Sequence, residues 1–347
     1  MSAGMSSDQI IKYEIKDKVN RYKGIKLRIF PDSSNEDQKL VKDGGLTFSY
    51  AGIDYGSCDA GWFEEKAVNG KTIDVPLIGL EGTDALNRGS SGDAQYQRFH
   101  HALGAVKNGC IGIYYLREGD NKMQLDLYEM AYNATKYAEG NGAYLIIQNL
   151  EVVNDILDLV SRYGRDSQQV KEYLNDYSVK MHDIWYKNKF SIYNYSWSKF
   201  ANKRSTIIFD DYIVKYTGRM RRNFTESSQR AGHIAVGEMY LSKYLYYGKK
   251  LYYLCPRMSA DDVEYLDTHK SNDKEWTILR HEENVFYVTR DNIEGLPKDI
   301  NSKLESISEV PLSNGTPARR IYDECIKFIV DGLKNGTLKI KECVRTT

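Results

Sequence analysis

No stretch of this chain approaches the roughly 18 consecutive apolar residues of a membrane-spanning helix. Its opening segment, MSAGMSSDQIIKYEIKDK, has no apolar core of a secretory signal. Cysteine is sparse: Cys58, Cys110, Cys255, Cys325 and Cys343 are odd in number and scattered, and no two have metal-ligand spacing. Together these absences set the expectation of a reduced, cytoplasmic protein with no membrane partner. An excess of charge is missing too, with 48 basic against 48 acidic residues. That balance argues against a protein that coats nucleic acid nonspecifically. It leaves room for a site-specific DNA enzyme, for which a local positive face suffices.

What is present is ordinary for a globular protein: 41% hydrophobic and 28% charged residues. A length of 347 residues falls between one large domain and two ordinary ones. The unusual number is 28 tyrosines. Tyrosine suits interfaces because it joins apolar area to a hydroxyl. Compositional bias from an AT-rich genome explains the count equally well.

Residues 8–23 read as a helix with Ile10, Ile11, Ile15 and Val19 on one face. GIKLRIF reads as a strand stopped by Pro31-Asp32, and LTFSYAGIDYG as an extended stretch. GWFEEKAVNGKTIDVPLIGLEGT reads as a β-hairpin turning at Asn69-Gly70. Its second arm, VPLIGL, is apolar enough for a strand buried on both faces. The order continues with a helix at 94–107, the strand CIGIYYL, a helix near 122–139 and the strand AYLIIQ. That succession predicts an α/β fold, a mixed central β-sheet flanked by helices. Additional helical and strand-rich elements follow, from an aromatic helical stretch over 150–200 to an amphipathic helix over 317–334. A weak echo relates residues 75–116 to 212–254, each reading strand, serine-rich loop, helix, strand. So few identities match that chance explains it better. The division expected is a core over 1–150 and a second part over 151–347.

The chemistry concentrates at one end of the hairpin. Asp59 precedes the Asn69-Gly70 turn by ten residues and Glu81 follows it by eleven, so the two fall almost opposite each other. Two adjacent carboxylates at the open end of a sheet repel unless a cation lies between them. Mg²⁺ takes oxygen ligands and suits such a pair. Taken singly, acidic residues at strand ends are more often only solvated. Here Glu81 ends an apolar run, where a stray carboxylate is disfavoured. The loop after it, NRGSSGD, is rich in residues that let backbone approach a phosphate.

CDAGW, a charged hairpin with an Asn-Gly turn, and PLIGLEGT resemble the PD-(D/E)XK nuclease core of type II restriction endonucleases. The resemblance covers about residues 50–116, a fifth of the chain. It implies a restriction-endonuclease-like core, with Asp59 and Glu81 as metal ligands and catalytic residues. It also implies a lysine two residues after the glutamate, where this sequence has Thr83. A threonine hydroxyl can orient a water but carries no charge. Lys66 or Lys71 of the hairpin are candidates to replace the lysine. A second register, Asp54 with Glu64 and Lys66, restores a formal Glu-x-Lys but ranks lower, because WFEEKAV is a poorer buried strand. Cys58 stands where the family has proline. The segment 91–98 resembles the DNA-reading loop and helix of some members, which makes Asp93, Gln95, Gln97 and Arg98 candidate DNA contacts, with Arg88 and Ser90 of the NRGSSGD loop.

Between Lys199 and Arg230 eight basic residues face three acidic ones. Arg219, Arg221, Arg222 and Asn223 form a candidate second DNA-binding loop, since arginine reads guanine and asparagine reads adenine. A solvated charge run is an equal reading. His100 and His101 lie about 100° apart around a helix and cannot easily share one ion. One is expected to face the core or DNA, and neither carries an assigned catalytic role. Glu238, in HIAVGEMYL, reads as an ordinary helix residue.

The expectation is a Mg²⁺-dependent, sequence-specific hydrolase cutting double-stranded DNA at a short palindrome, as in a restriction-modification system. It would work as a homodimer, because two antiparallel strands are most simply cut by two copies related by a two-fold axis. Two other readings stay open: a non-catalytic DNA-binding module on a nuclease fold, and a repair or RNA nuclease of the same superfamily.

Overall fold

A computed structural model describes residues 7–29, 46–83, 92–117 and 126–189 of a first unit, and residues 190–193 at the end of its last helix. Of a second unit it describes residues 206–208, 210–216, 223–225, 228–230, 243–255, 258–268, 278, 282–289, 292–294, 331, 334–336 and 339–341. The contacts divide the chain into Met1–Lys189 and Phe190–Thr347. Among the described residues no helix is long and apolar enough to cross a membrane.

In the first unit, α1 (Ser7–Lys18) and β1 (Ile25–Ile29) precede a small hairpin, β2 (Thr47–Tyr50) and β3 (Ile53–Ser57). The stretch expected to be simply extended therefore folds back on itself. Its turn is Ala51-Gly52, both at positive φ, a signal much weaker than Asn-Gly. The long hairpin β4 (Ala60–Val68) and β5 (Lys71–Thr83) turns where expected, with Asn69 at φ 50° and Gly70 at φ 75°. Helix α2 (Gly92–Lys107), β6 (Ile111–Leu116), α3 (Asp126–Tyr137) and β7 (Ala143–Ile147) follow.

The sheet runs β1-β4-β5-β6-β7. Strands β1 and β5 both run antiparallel to β4 between them, and β6 and β7 continue parallel to β5. This is the mixed sheet the sequence predicts. Residues Leu77 to Thr83 are all buried, as the apolar arm required. Helix α2 lies tight on β6: a Cβ on Gly112 would fall 2.1 Å from the Ala102 carbonyl oxygen, so only glycine lets the helix approach.

Helices α4 (Glu151–Tyr163) and α5 (Gln168–Tyr193) complete the unit. Val153, Ile156, Leu157 and Val160 form the buried stripe of α4 at helical spacing. Arg165, between the helices, donates to the Pro76 and Gly109 carbonyls. Tyr177 of α5 donates to the Ile146 carbonyl of β7. These bonds tie the two helices to the sheet.

The second unit holds β8 (Thr206–Ile208), β9 (Tyr212–Tyr216), the pair β10 (Asn223–Thr225) and β11 (Ser228–Arg230), and β12 (Lys250–Cys255). Then come α6 (Ala260–Thr268), β13 (Val285–Thr289), β14 (Asn292–Glu294) and β15 (Lys339–Lys341). Its main sheet is ordered β15-β14-β13-β12-β9-β8. Strands β8 and β9 are antiparallel, while β12 and β13 extend parallel to β9. The order β8-β9-β12-β13 thus repeats β4-β5-β6-β7 in direction and succession. Of the echo between 75–116 and 212–254, the described residues show the parallel strand pairs β5-β6 and β9-β12, and most of the helix read between the latter two lies outside them.

Candidate active site

The register of the long hairpin brings the acidic pair together. Ala60 pairs with Leu80, so Asp59 and Glu81 occupy the next position beyond. The hairpin carries one extra residue on the β5 side, and the register shifts between Trp62, opposite Ile78, and Phe63, opposite Pro76. Leu77 is therefore the bulged residue, and the bulge absorbs the difference between ten and eleven residues. The Asp59 Oδ2 accepts a 2.9 Å hydrogen bond from the Gly82 N–H, so the carboxylate continues the ladder where β4 has not yet begun.

Both acids are buried: Asp59 is 8% exposed and Glu81 3%. Residues 81 and 83 of β5 share one face and residue 82 has the other. A Cβ on Gly82 would meet Ile11 of α1, whereas one on Gly79 would meet Ala105 of α2. Glu81 and Thr83 therefore face α2, and Thr83, 1% exposed, lies under it.

Helix α2 answers with two basic side chains at i and i+3. Arg98 donates through one nitrogen to Glu81 Oε1 at 3.1 Å and to the Gly82 carbonyl at 3.0 Å. His101 Nδ1 lies 3.1 Å from Glu81 Oε2, without the alignment of a hydrogen bond. A Cβ on Gly56 would fall 2.4 Å from this imidazole, so a glycine in β3 makes its room. His100 is buried and meets His101 edge-on, with ring centroids 4.4 Å apart. Of the adjacent histidines it is His101 that turns to the acid.

Tyr114 completes the cluster from β6, as the register partner of Glu81. It is fully buried and its hydroxyl has no hydrogen-bond partner. Burial pushes its phenol well above the ordinary range; Arg98 offsets part of that, and Glu81 and Asp59 add to it. Burial likewise raises the Cys58 thiol, with Glu81, Asp59 and Cys110 adding to the effect. Cys58 and Cys110 are free and packed with Phe48, Ala105 and Leu46, a structural role.

The other candidates fall in different places. Lys66 pairs with Ile73 and Lys71 with Val68, toward the turn. Seven residues separate Asp59 from Lys66, roughly 23 Å of strand, so neither hairpin lysine replaces the missing one. In the second register Asp54 accepts from the Gly56 N–H, while Glu64 pairs with Lys66 at 3.5 Å and Arg165 at 3.6 Å. Each acid there has a local structural use. Asp93, Gln95 and Gln97 lie on α2 and Asn223 begins β10, but only their backbones are described. Arg88, Ser90, Arg219, Arg221, Arg222 and Glu238 lie outside the described residues.

A second charged group lies at the same strand ends on the opposite face. Glu14 of α1 contacts Lys18 at 3.0 Å, the Tyr115 hydroxyl at 2.9 Å and Arg117 at 2.9 Å. Burial alone would raise its pKa, but Lys18, Arg117 and Tyr115 outweigh that and hold it below the ordinary carboxylate value. Sequence reading missed this group and the roles of Tyr114 and His101. The i, i+3 spacing of Arg98 and His101 was the one available signal.

The donor set fits a hard divalent cation. Two buried carboxylates share a position, with an unpartnered buried hydroxyl on the neighbouring strand. Among the described residues no group of three or more His, Cys, Asp or Glu side chains could hold a metal ion. An ion here would take two protein carboxylates and fill its shell with water or substrate oxygens, the habit of Mg²⁺. No protein-family model, no curated protein and no solved structure matches the chain.

Proposed function

We propose that this chain is a Mg²⁺-dependent endonuclease acting on double-stranded DNA, with Asp59 and Glu81 as its cation-binding carboxylates. The observation that carries the reading is their burial side by side at the end of the long hairpin, with Asp59 fixed by the Gly82 N–H. A bound ion would supply polarisation of a phosphoryl oxygen and a lowered pKa for the attacking water. The chain's own groups do the placing. Gly82 orients Asp59, and Arg98 holds Glu81 against its own strand. The Tyr114 hydroxyl can donate to or accept from a water beside the pair, and Thr83 offers a second hydroxyl on that face. Neither adds charge, so electrostatic stabilisation of the phosphoryl group falls to the cation and to basic side chains.

Cleavage at a short palindrome, as in restriction of foreign DNA, and assembly as a homodimer belong to the same proposal. Both follow from the symmetry of a duplex cut on two strands. Incubation of supercoiled plasmid with Mg²⁺ tests it, and discrete fragments are the expected result. Smearing or RNA degradation would point to a repair or RNA nuclease. One observation favours a second reading, a non-catalytic DNA-binding module: Glu81 is already contacted on both oxygens by Arg98 and His101, and Thr83 stands in the lysine position. Duplex binding without any cutting is its expected signature.

A further inference from the structure

Two buried carboxylates at one register position do not stay ionised together without a counter-charge. Helix α2 places such a charge beside the pair. The Arg98 guanidinium contacts Glu81 Oε1 at 3.1 Å and bridges to the Gly82 carbonyl at 3.0 Å. The Arg98 side chain is 30% exposed while that of Glu81 is 4% exposed. The acid is therefore fixed in the interior, and the base reaches it from the solvent side. Helix α2, which carries Arg98, packs closely on β6 at Gly112.

We propose that Arg98 is a built-in counter-ion for the Asp59–Glu81 pair, which a divalent cation must compete with and which clamps Glu81 to its strand. The inference rests on the nuclease reading of the pair. Arg98 acts through Glu81 and is a positioning residue. Its two effects have opposite signs. Its charge opposes cation entry, so neutralising it tightens cation binding. Its bond to the Gly82 carbonyl fixes the acid, so losing it loosens the geometry that cleavage needs.

The experiment measures Mn²⁺ affinity, from the free-ion spin-resonance signal, and plasmid cleavage for the full chain. Wild type, Arg98→Gln, Arg98→Lys and Glu81→Gln are compared. Arg98→Gln removes the charge but keeps a hydrogen-bonding side chain. It is expected to bind Mn²⁺ about tenfold more tightly or better, since a positive charge leaves a doubly acidic site of low dielectric. Its cleavage is expected to fall. Arg98→Lys retains the charge and is expected to keep wild-type Mn²⁺ affinity within about threefold, while displacing the nitrogen that bridges Glu81 to the Gly82 carbonyl. A purely structural arginine would lower thermal stability in both variants and leave Mn²⁺ affinity unchanged. Unchanged or weaker affinity in folded Arg98→Gln, or equal tightening in Arg98→Lys, overturns the inference while the nuclease reading stands. If wild type binds no Mn²⁺ that Glu81→Gln abolishes, the metal reading of the pair fails and takes this inference with it.

Discussion

Each unit lays down four strands in the same order, an antiparallel pair and then two parallel additions, yet the residues paired along them differ in chemistry. In the first, Glu81 pairs with Tyr114 and lies beside Asp59, one position beyond the Ala60–Leu80 pair. In the second, Lys215 stands between Thr206 and Tyr253. None of those three residues of the second unit is a carboxylate, the oxygen donor that a cation such as Mg²⁺ takes. Strand order is thus a scaffold that both units use, and the activity proposed for one resides in a few side chains at a strand end.

The comparison breaks most sharply at the acids. Asp59→Asn or Glu81→Gln is expected to reduce plasmid cleavage by several orders of magnitude, the cost of losing a placed cation in phosphoryl chemistry. Thr206→Val and Lys215→Ala should leave the chemical step nearly unchanged, read as single-turnover cleavage with DNA in excess of its dissociation constant. A Lys215→Ala defect as large as that of Glu81→Gln would mean that the second unit shares the chemistry.

Glu14 sharpens the contrast through stability. Glu14→Gln leaves Arg117, 15% exposed, beside a lost carboxylate, and is expected to cost about 2–3 kcal/mol at neutral pH in chemical denaturation. The sign of the pH dependence follows from the lowered pKa of Glu14. Its contribution is full above the ordinary carboxylate value and is lost as pH falls through the lower folded value. The gap between wild type and Glu14→Gln should therefore close in acid. Amide exchange should rise in α1 and β6 and stay level in β12 and β13.

Smaller effects test the scaffold itself. Gly112→Ala pushes a methyl into the α2 backbone and is expected to destabilise by about 1–3 kcal/mol, with raised exchange in α2. A neutral outcome would show α2 free to move away, contrary to its fixed placement of Arg98. At Gly70, φ is 75° and open space surrounds the position, so Gly70→Ala meets backbone strain alone. A loss of about 1 kcal/mol in thermal denaturation is expected.

Much of this architecture is legible in the sequence because its signals are local. Asn69-Gly70 announces its own turn, and counting outward from it pairs Asp59 with Glu81. The unbroken apolar arm before Glu81 announces a strand covered on both faces. The Ala51-Gly52 turn was illegible, because alanine at positive φ leaves no compositional mark. The surroundings of Glu81 were harder still. Arg98 and His101 reach it from α2, the next helix along the chain, and Tyr114 from β6, the strand after that helix. Such contacts depend on how closely α2 packs, which rests on Gly112, a residue distant from all three in chemistry. The matching strand order of the second unit showed in the sequence only as the weak echo between 75–116 and 212–254, which chance explained better. Burial conserves pattern rather than identity, so few residues coincide.

The most direct test of the account sets wild type beside Glu81→Gln on one supercoiled plasmid, each with Mg²⁺ and with EDTA. Discrete linear fragments from wild type with Mg²⁺ alone, and intact plasmid in the other three lanes, is the predicted result. Cleavage by Glu81→Gln at the wild-type rate, or wild-type cleavage that persists in EDTA, would contradict it.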